Sequence, residues 1–183
     1  ITYKKPNSFL YIVEADKTGK SDISAQLQKK LDEAEKTGGV VYLPAGLYRL
    51  DNSITIPKGV ELRGSSSVPV RCQGGCSNGT LILSYCGYNE ADNPLITLDG
   101  DGASLNGLRI DYPLNNPVDN SGKYLKTSPA VYSEADNVYV TNCTITLAAI
   151  GVELDGCENA FLKKIIGCCI EGMFNLKNCK NGT

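Results

Sequence analysis

The apolar positions along this chain change period once. From Ser21 to Lys36 they recur as Ile23, Leu27, Leu31 and Ala34, the spacing of one helix face, with charges between them and Gly38-Gly39 beyond. That pattern predicts an amphipathic helix capped by Ser21 or Asp22. Ahead of it, Phe9 to Val13 alternates like a short strand, and Asp16-Lys17-Thr18-Gly19-Lys20 reads as a turn. After the helix the period becomes two. Val40 to Leu50 reads as strand, turn and strand, and Ile54, Ile56, Val60 and Leu62 continue the alternation with turns at Pro57 and Gly64.

The C-terminal third repeats itself. Asp136-Asn137, Glu158-Asn159 and Lys180-Asn181 recur every 22 residues, and Tyr132, Leu154 and Leu176 keep the same step. So do Ala135, Cys157 and Cys179, while Val140 pairs with Leu162, Cys143 with Ile165, Leu147 with Cys169 and Val152 with Phe174. Short strands at a fixed period of roughly 20–30 residues make a solenoid, because one coil cannot bury its own apolar face. The reading is a β-helix forming one domain over residues 1–183, with an N-terminal cap at 9–39 and coils at 40–183. The helix would shield the open end of the solenoid. Residues 175–183 begin a further coil, so the natural polypeptide is expected to continue, with further coils or a second copy packing on that end. Three Asn-x-Thr patterns, at Asn78, Asn142 and Asn181, fit N-glycosylation. Asn181 also belongs with Asn137 and Asn159, in a column expected to hydrogen-bond along the axis.

Three pieces carry a family resemblance: Asp16-Lys-Thr-Gly-Lys-Ser-Asp-Ile-Ser with Leu27-Gln28; Gly38-Gly-Val-Val-Tyr-Leu-Pro-Ala-Gly-Leu-Tyr-Arg; and Ile56-Pro-Lys-Gly-Val-Glu-Leu-Arg-Gly. Together they resemble the N-terminal signature of the pectate-lyase-like and polygalacturonase-related superfamily. The resemblance implies an all-β fold, a right-handed single-stranded parallel β-helix with a capping α-helix, and a carbohydrate ligand. Polysaccharide lyases, glycoside hydrolases, phage tailspikes and proteins without known activity share that signature. The polygalacturonase acid motifs do not carry over, since this chain has no His, no Asp-Asp pair and no Arg-Ile-Lys. Calcium-dependent lyases cluster carboxylates, and Asp99-Gly-Asp101 is the nearest local cluster, but a Gly-Asp turn between strands is the better explanation of it. No other cofactor is expected.

Composition narrows the class further. Of 183 residues 42% are apolar and the formal charge is −2, which argues against a disordered chain and a basic nucleic-acid binder. The longest apolar run, Leu147 to Val152, is far below the roughly 20 residues of a membrane-spanning helix. Eight Cys allow a local bridge between Cys72 and Cys76 and a bridge between Cys157 and Cys179 on adjacent coils. The other cysteines fit as small buried apolar groups. Zinc is disfavoured without His.

Candidate chemistry follows from geometry. Aligning Leu105, Leu108 and Ile110 with Val140, Cys143 and Ile145 exposes an insertion spanning Pro113 to Ser128. If Leu108 and Ile110 point inward, Arg109 and Asp111 point outward, beside Tyr112 and the loop's Tyr124. Such a set could stack on and hold an acidic sugar, with Asp111 accepting a proton. A second set is Glu134 with Glu153 and Asp155, acids on neighbouring coils; a solvated surface is the simpler account of both sets. The expectation is an extracellular polysaccharide-active protein, a glycoside hydrolase or polysaccharide lyase. The alternative is a non-catalytic adhesin, tailspike-like or assembly module, for which Ile166, Cys168 and Ile170 would supply an apolar outer face.

Overall fold

The computed structural model describes residues 6–67, 69, 79–90, 92–116 and 122–182. The chain opens with β1 (Leu10–Ile12), β2 (Thr18–Asp22), α1 (Ser24–Glu35), β3 (Gly39–Tyr42), β4 (Gly46–Leu50), β5 (Ile54–Pro57) and β6 (Val60–Arg63). It continues with β7 (Thr80–Ser84), β8 (Ile96–Asp99), β9 (Ser104–Asn106), β10 (Leu108–Asp111) and a 3-10 turn at Pro113–Asn115. The last strands are β11 (Val131–Ser133), β12 (Tyr139–Thr146), β13 (Ile150–Asp155), β14 (Phe161–Cys168) and β15 (Gly172–Lys177).

These strands pair in parallel. One sheet runs β1-β3-β6-β9-β12-β10-β7-β4-β2, with β14 also on β12; the other runs β15-β13-β11-β8-β5. The first half of β12 pairs β9 and the second half pairs β10, so the larger sheet is two faces meeting at a bend. Gly107 (φ 72°), Asn142 (φ 54°) and Lys164 (φ 53°) make that bend in left-handed conformation. Glycine and asparagine adopt it at low cost; lysine does not. The result is a three-faced coil, a right-handed parallel β-helix with one N-terminal helix.

Inward columns form the core. Val41, Leu62, Leu105 and Val140 align across the first face (β1, β3, β6, β9 and the first halves of β12 and β14) and are fully buried. Ile82, Ile110 and Ile145 do the same on the second face (β2, β4, β7, β10 and the second halves of β12 and β14). Ile54, Ile96, Val131 and Val152 line the third face, the smaller sheet. The helix buries Ile23, Leu27, Leu31 and Ala34, as the spacing predicts. Its start is held by Asp22, whose carboxylate accepts the Ser24 amide at 2.9 Å. Gln28 does more. Its side-chain amide accepts from Thr55 N at 2.8 Å and donates to Thr55 O at 3.1 Å, which pairs β5, the end strand of the smaller sheet, as a neighbouring strand would.

The 22-residue register holds for Val140↔Leu162, Cys143↔Ile165, Val152↔Phe174 and Leu154↔Leu176. It fails for Tyr132. Ser133, not Tyr132, stands opposite Leu154, and Tyr132 faces outward opposite Glu153. Gly156 (φ 70°) and Asn178 (φ 52°) each add a left-handed residue to their corner, whereas no residue between Ser133 and Asp136 takes that conformation. The coils beyond therefore keep step with each other but not with Tyr132. The Asn137, Asn159 and Asn181 column also differs from expectation. All three residues are left-handed, but the Asn137 side chain donates to Asp101, and the corner is tied by backbone bonds such as Asn137 N to Glu158 O at 2.9 Å. A side-chain rung between coils forms instead at the bend, where Asn142 donates to Asn106 at 2.9 Å.

Cys157 and Cys179 are free thiols, which corrects the expected bridge. Each sulfur is turned to a carbonyl of the preceding coil, Cys157 to Ser133 O at 3.3 Å and Cys179 to Leu154 O at 3.6 Å. Burial pushes the Cys157 thiol up to about 11, so it stays protonated. Cys72, Cys76 and Asn78 lie outside the described residues, as does Thr183 of the Asn181 pattern.

Candidate functional site

Two long connections join the second face to the third: residues 85–95 between β7 and β8, and 112–130 between β10 and β11. They are stitched together. Asn89 N donates to Lys126 O at 2.8 Å, Ser128 Oγ to Glu90 O at 2.6 Å, and Leu114 N to the Tyr88 hydroxyl at 3.2 Å. Buried Asn115 fastens the second connection to Leu125 and to Leu147 O. A ridge thus stands at the corner between the two faces. The sequence reading found the insertion behind it but not its partner at 85–95.

On the second face, Arg109 and Asp111 point outward as expected. Arg109 lies between Leu81 and Thr144, and Asp111 between Leu83 and Thr146. Thr146 donates to Asp111 at 2.6 Å, while the buried Arg109 Nε has no partner. No ion pair joins Arg109 to Asp111 among the described residues. Tyr112 is a correction. It follows β10 at the corner, turns into the core, and is 0% exposed, with its ring edge-on to Tyr88 at 5.6 Å. It cannot meet a sugar. Tyr124 stands on the ridge, 48% exposed.

The outer side of the third face gathers more chemistry. Outward residues are Thr97 and Asp99 on β8, Tyr132 and then Glu134 at β11, Glu153 and Asp155 on β13, and Asn175 and Lys177 on β15. The Tyr132 hydroxyl donates to Glu134. That hydrogen bond, with some burial and the nearby charges of Glu134, Asp155 and Glu153, pushes the phenol up to about 12. Glu134 alone takes the hydroxyl's hydrogen bond, and Asp155 and Glu153 act on it through their charge. Glu153 is gripped by Asn175 at 2.5 Å and Lys177 at 3.1 Å, and Asp155 accepts from Asn178 at 3.0 Å. The sequence pointed to the acids but placed Tyr132 in the core; the missed signal was Gly156, which shifts the column by one residue.

Asp99 and Asp101 do not form a cation site. Asp101 is taken by Asn137, and among the described residues no group of three or more His, Cys, Asp or Glu is arranged to hold a metal.

A cavity of about 800 Å³ lies apart from both sets, on the outer side of the first face. It runs from Phe9 and Leu10 across Arg63 and Asn106 to Phe161, Lys163 and Lys164. Nothing in the sequence marked it, because its residues come from six strands and the segment before β1.

The fold and these faces define a parallel β-helix with a ridged, acid-lined outer surface. Residues 13–97 match the family described as rhamnogalacturonase A/epimerase, pectate lyase-like, which overlaps the signature read from the sequence. Among solved structures, a candidate glycosyl hydrolase from Parabacteroides merdae superposes with TM-score 0.69 at 14% identity, over 93% of this chain and 81% of that one. The A-module of the mannuronan C-5 epimerase AlgE6 from Azotobacter vinelandii gives 0.60 at 16% identity, over 94% of this chain and 57% of that one. An iota-carrageenase complexed to iota-carrageenan fragments gives 0.53 at 14%, over 100% and 42%. The chain thus spans from under half to four fifths of these structures, and the likeness is one of fold. No curated protein matches by sequence.

Proposed function

We propose that the chain binds a polysaccharide outside the cell, along the outer third face, and hydrolyses its glycosidic bonds with the carboxylates around Tyr132. The observation that carries this is the Tyr132 to Glu134 hydrogen bond with Glu153 and Asp155 beside it. Hydrolysis needs two carboxyl groups, one to protonate the leaving oxygen and one to activate water or attack the anomeric carbon. Adjacent coils lie about 4.8 Å apart, so acids on neighbouring strands fall within reach of one bond. Glu153 is committed to Asn175 and Lys177, which leaves exposed Glu134 and half-buried Asp155 to meet the sugar. With its phenol protonated at neutral pH, Tyr132 acts as a donor that orients Glu134 and as a ring for a pyranose to stack on. The named activities of the structural neighbours support a glycan as ligand.

A second reading, a non-catalytic solenoid, is favoured by Ile166 and Ile170, which are 37% and 36% exposed. Reducing-end release should be measured on polygalacturonate, alginate, iota-carrageenan and a neutral galactan. One polymer should turn over, and Glu134→Gln should slow it by about 10²–10⁴. Unchanged turnover in that variant, or neither product nor binding with any polymer, removes the site; assembly abolished by Ile166→Lys would then establish the solenoid reading.

A further inference from the structure

We infer that the cavity on the first face is a second glycan site, a groove for an anionic polysaccharide chain distinct from the acid-lined third face. Its length is set by the fold. Arg63, Asn106, Thr141 and Lys163 are register partners on β6, β9, β12 and β14, so this outward column crosses three coil steps, about 14 Å along the axis. A chain laid lengthwise meets one polar side chain per coil.

Its charge is of one sign. Among the described residues the cavity is lined by Arg63, Lys163 and Lys164 and by no acidic residue. Glu61, fully buried on the same outer side of β6, is bonded to Arg63 and Asn106, so the Arg63 charge is met within the protein and the excess positive charge of the groove is that of Lys163 and Lys164. Both lysines are exposed, and among the described residues neither has a carboxylate in salt-bridge range. Amides of Asn7, Asn106 and Asn142 offer partners for hydroxyl groups, and Phe9 and Phe161 offer rings, with Lys163 Nζ 5.9 Å from the Phe161 ring. A basic nucleic-acid footprint is a poor match, since the chain as a whole carries −2. Cations, amides and rings in one open trough suit a sugar chain bearing carboxylate or sulfate groups.

The backbone adds an independent observation. Lys164 occupies the bend position that Gly107 and Asn142 fill on the preceding coils, at φ 53°. Lysine there is strained where asparagine is tolerated, and the strain places an ammonium at the cavity wall.

The test uses titration calorimetry with oligogalacturonate as the carboxylated probe, iota-carrageenan oligosaccharide as the sulfated probe and a neutral galactan as control. The anionic probe that binds identifies the group recognised. Lys163→Ala and Lys164→Asn should each weaken it about tenfold or more, the size of a lost charge-assisted hydrogen bond. Lys164→Asn should also melt at or above the parent temperature, which a merely structural lysine would not show. Glu134→Gln should leave this binding intact, so failure here and failure of the third-face reading are separable. Binding unaffected by both lysine changes, equal binding of the neutral galactan, or no binding by either anionic probe would overturn the assignment.

Discussion

Tyr112 separates a surface reading of the second face from a core one. It is 0% exposed and lies edge-on to Tyr88, with ring centroids 5.6 Å apart and planes at 65°. Truncation to alanine removes a fully buried aromatic ring, which costs about 3–5 kcal/mol, of which about 0.5–1.5 belongs to the ring pair. With a urea m-value of about 2–3 kcal/mol/M, a loss of about 4 kcal/mol lowers the denaturation midpoint by about 1.3–2 M. Tyr112→Phe keeps the ring and should recover most of that loss, although burial pushes the phenol's pKa far above its ordinary value and the hydroxyl stays protonated in either context. Urea unfolding followed by circular dichroism, alongside glycan calorimetry on the folded fraction, reads both quantities. A Tyr112→Ala protein with the parent midpoint and weakened glycan binding would refute the core placement.

Gln28→Ala should leave the thermal transition nearly in place but expose the backbone of Thr55 on β5, the end strand of the smaller sheet, so light scattering should show association rising with concentration; a variant as monomeric as the parent would mean that the pairing protects nothing. Asp16 is held well below its ordinary 3.8, at about 2, first by the Thr18 hydroxyl and then by the amides of Ser21, Thr18 and Lys20. Because the folded value is depressed, its stabilisation is complete above about 4 and fades as pH falls towards 2; Asp16→Asn should therefore melt below the parent at pH 7 and converge with it near pH 2, and a pH-independent gap would contradict this.

The fold was legible because its determinants are local and repeated. The helix face from Ile23 to Ala34, the two-residue period from Val40 onward and the pairs Val140 with Leu162 and Val152 with Phe174 all follow from spacing, and each reappears in the core or the register. At Tyr132 a corner was responsible. A strand alternates sides every residue, so one left-handed residue at Gly156 moves Tyr132 from the inner column to the outer surface beside Glu153. Tyr112 fails for a simpler reason: the alternation that turns Asp111 outward turns the next side chain inward, and Tyr112 N still bonds Thr146 O at 3.2 Å. Inserted or omitted corner residues leave little trace in hydrophobic period, and they decide which groups a ligand can meet.

Sites on a solenoid are harder to read than its core because they are assembled across coils. Glu134 and Asp155 lie 21 residues apart in sequence, and Arg63 and Lys163 lie 100 apart, yet each pair shares one outer face. The near-zero net charge conceals this arrangement, since it averages an acid-lined third face with a cationic first face. The two faces must then respond oppositely to a charged polymer. On the two proposals made above, an anionic chain would be drawn to Lys163 and Lys164 and repelled by Glu134 and Asp155, so the groove and the acid face would engage different stretches of polymer, or different polymers. Salt separates them physically: screening weakens a contact made by exposed lysines and relieves the repulsion at the acids, because exposed charges lose most of their interaction beyond about 8 Å at physiological ionic strength.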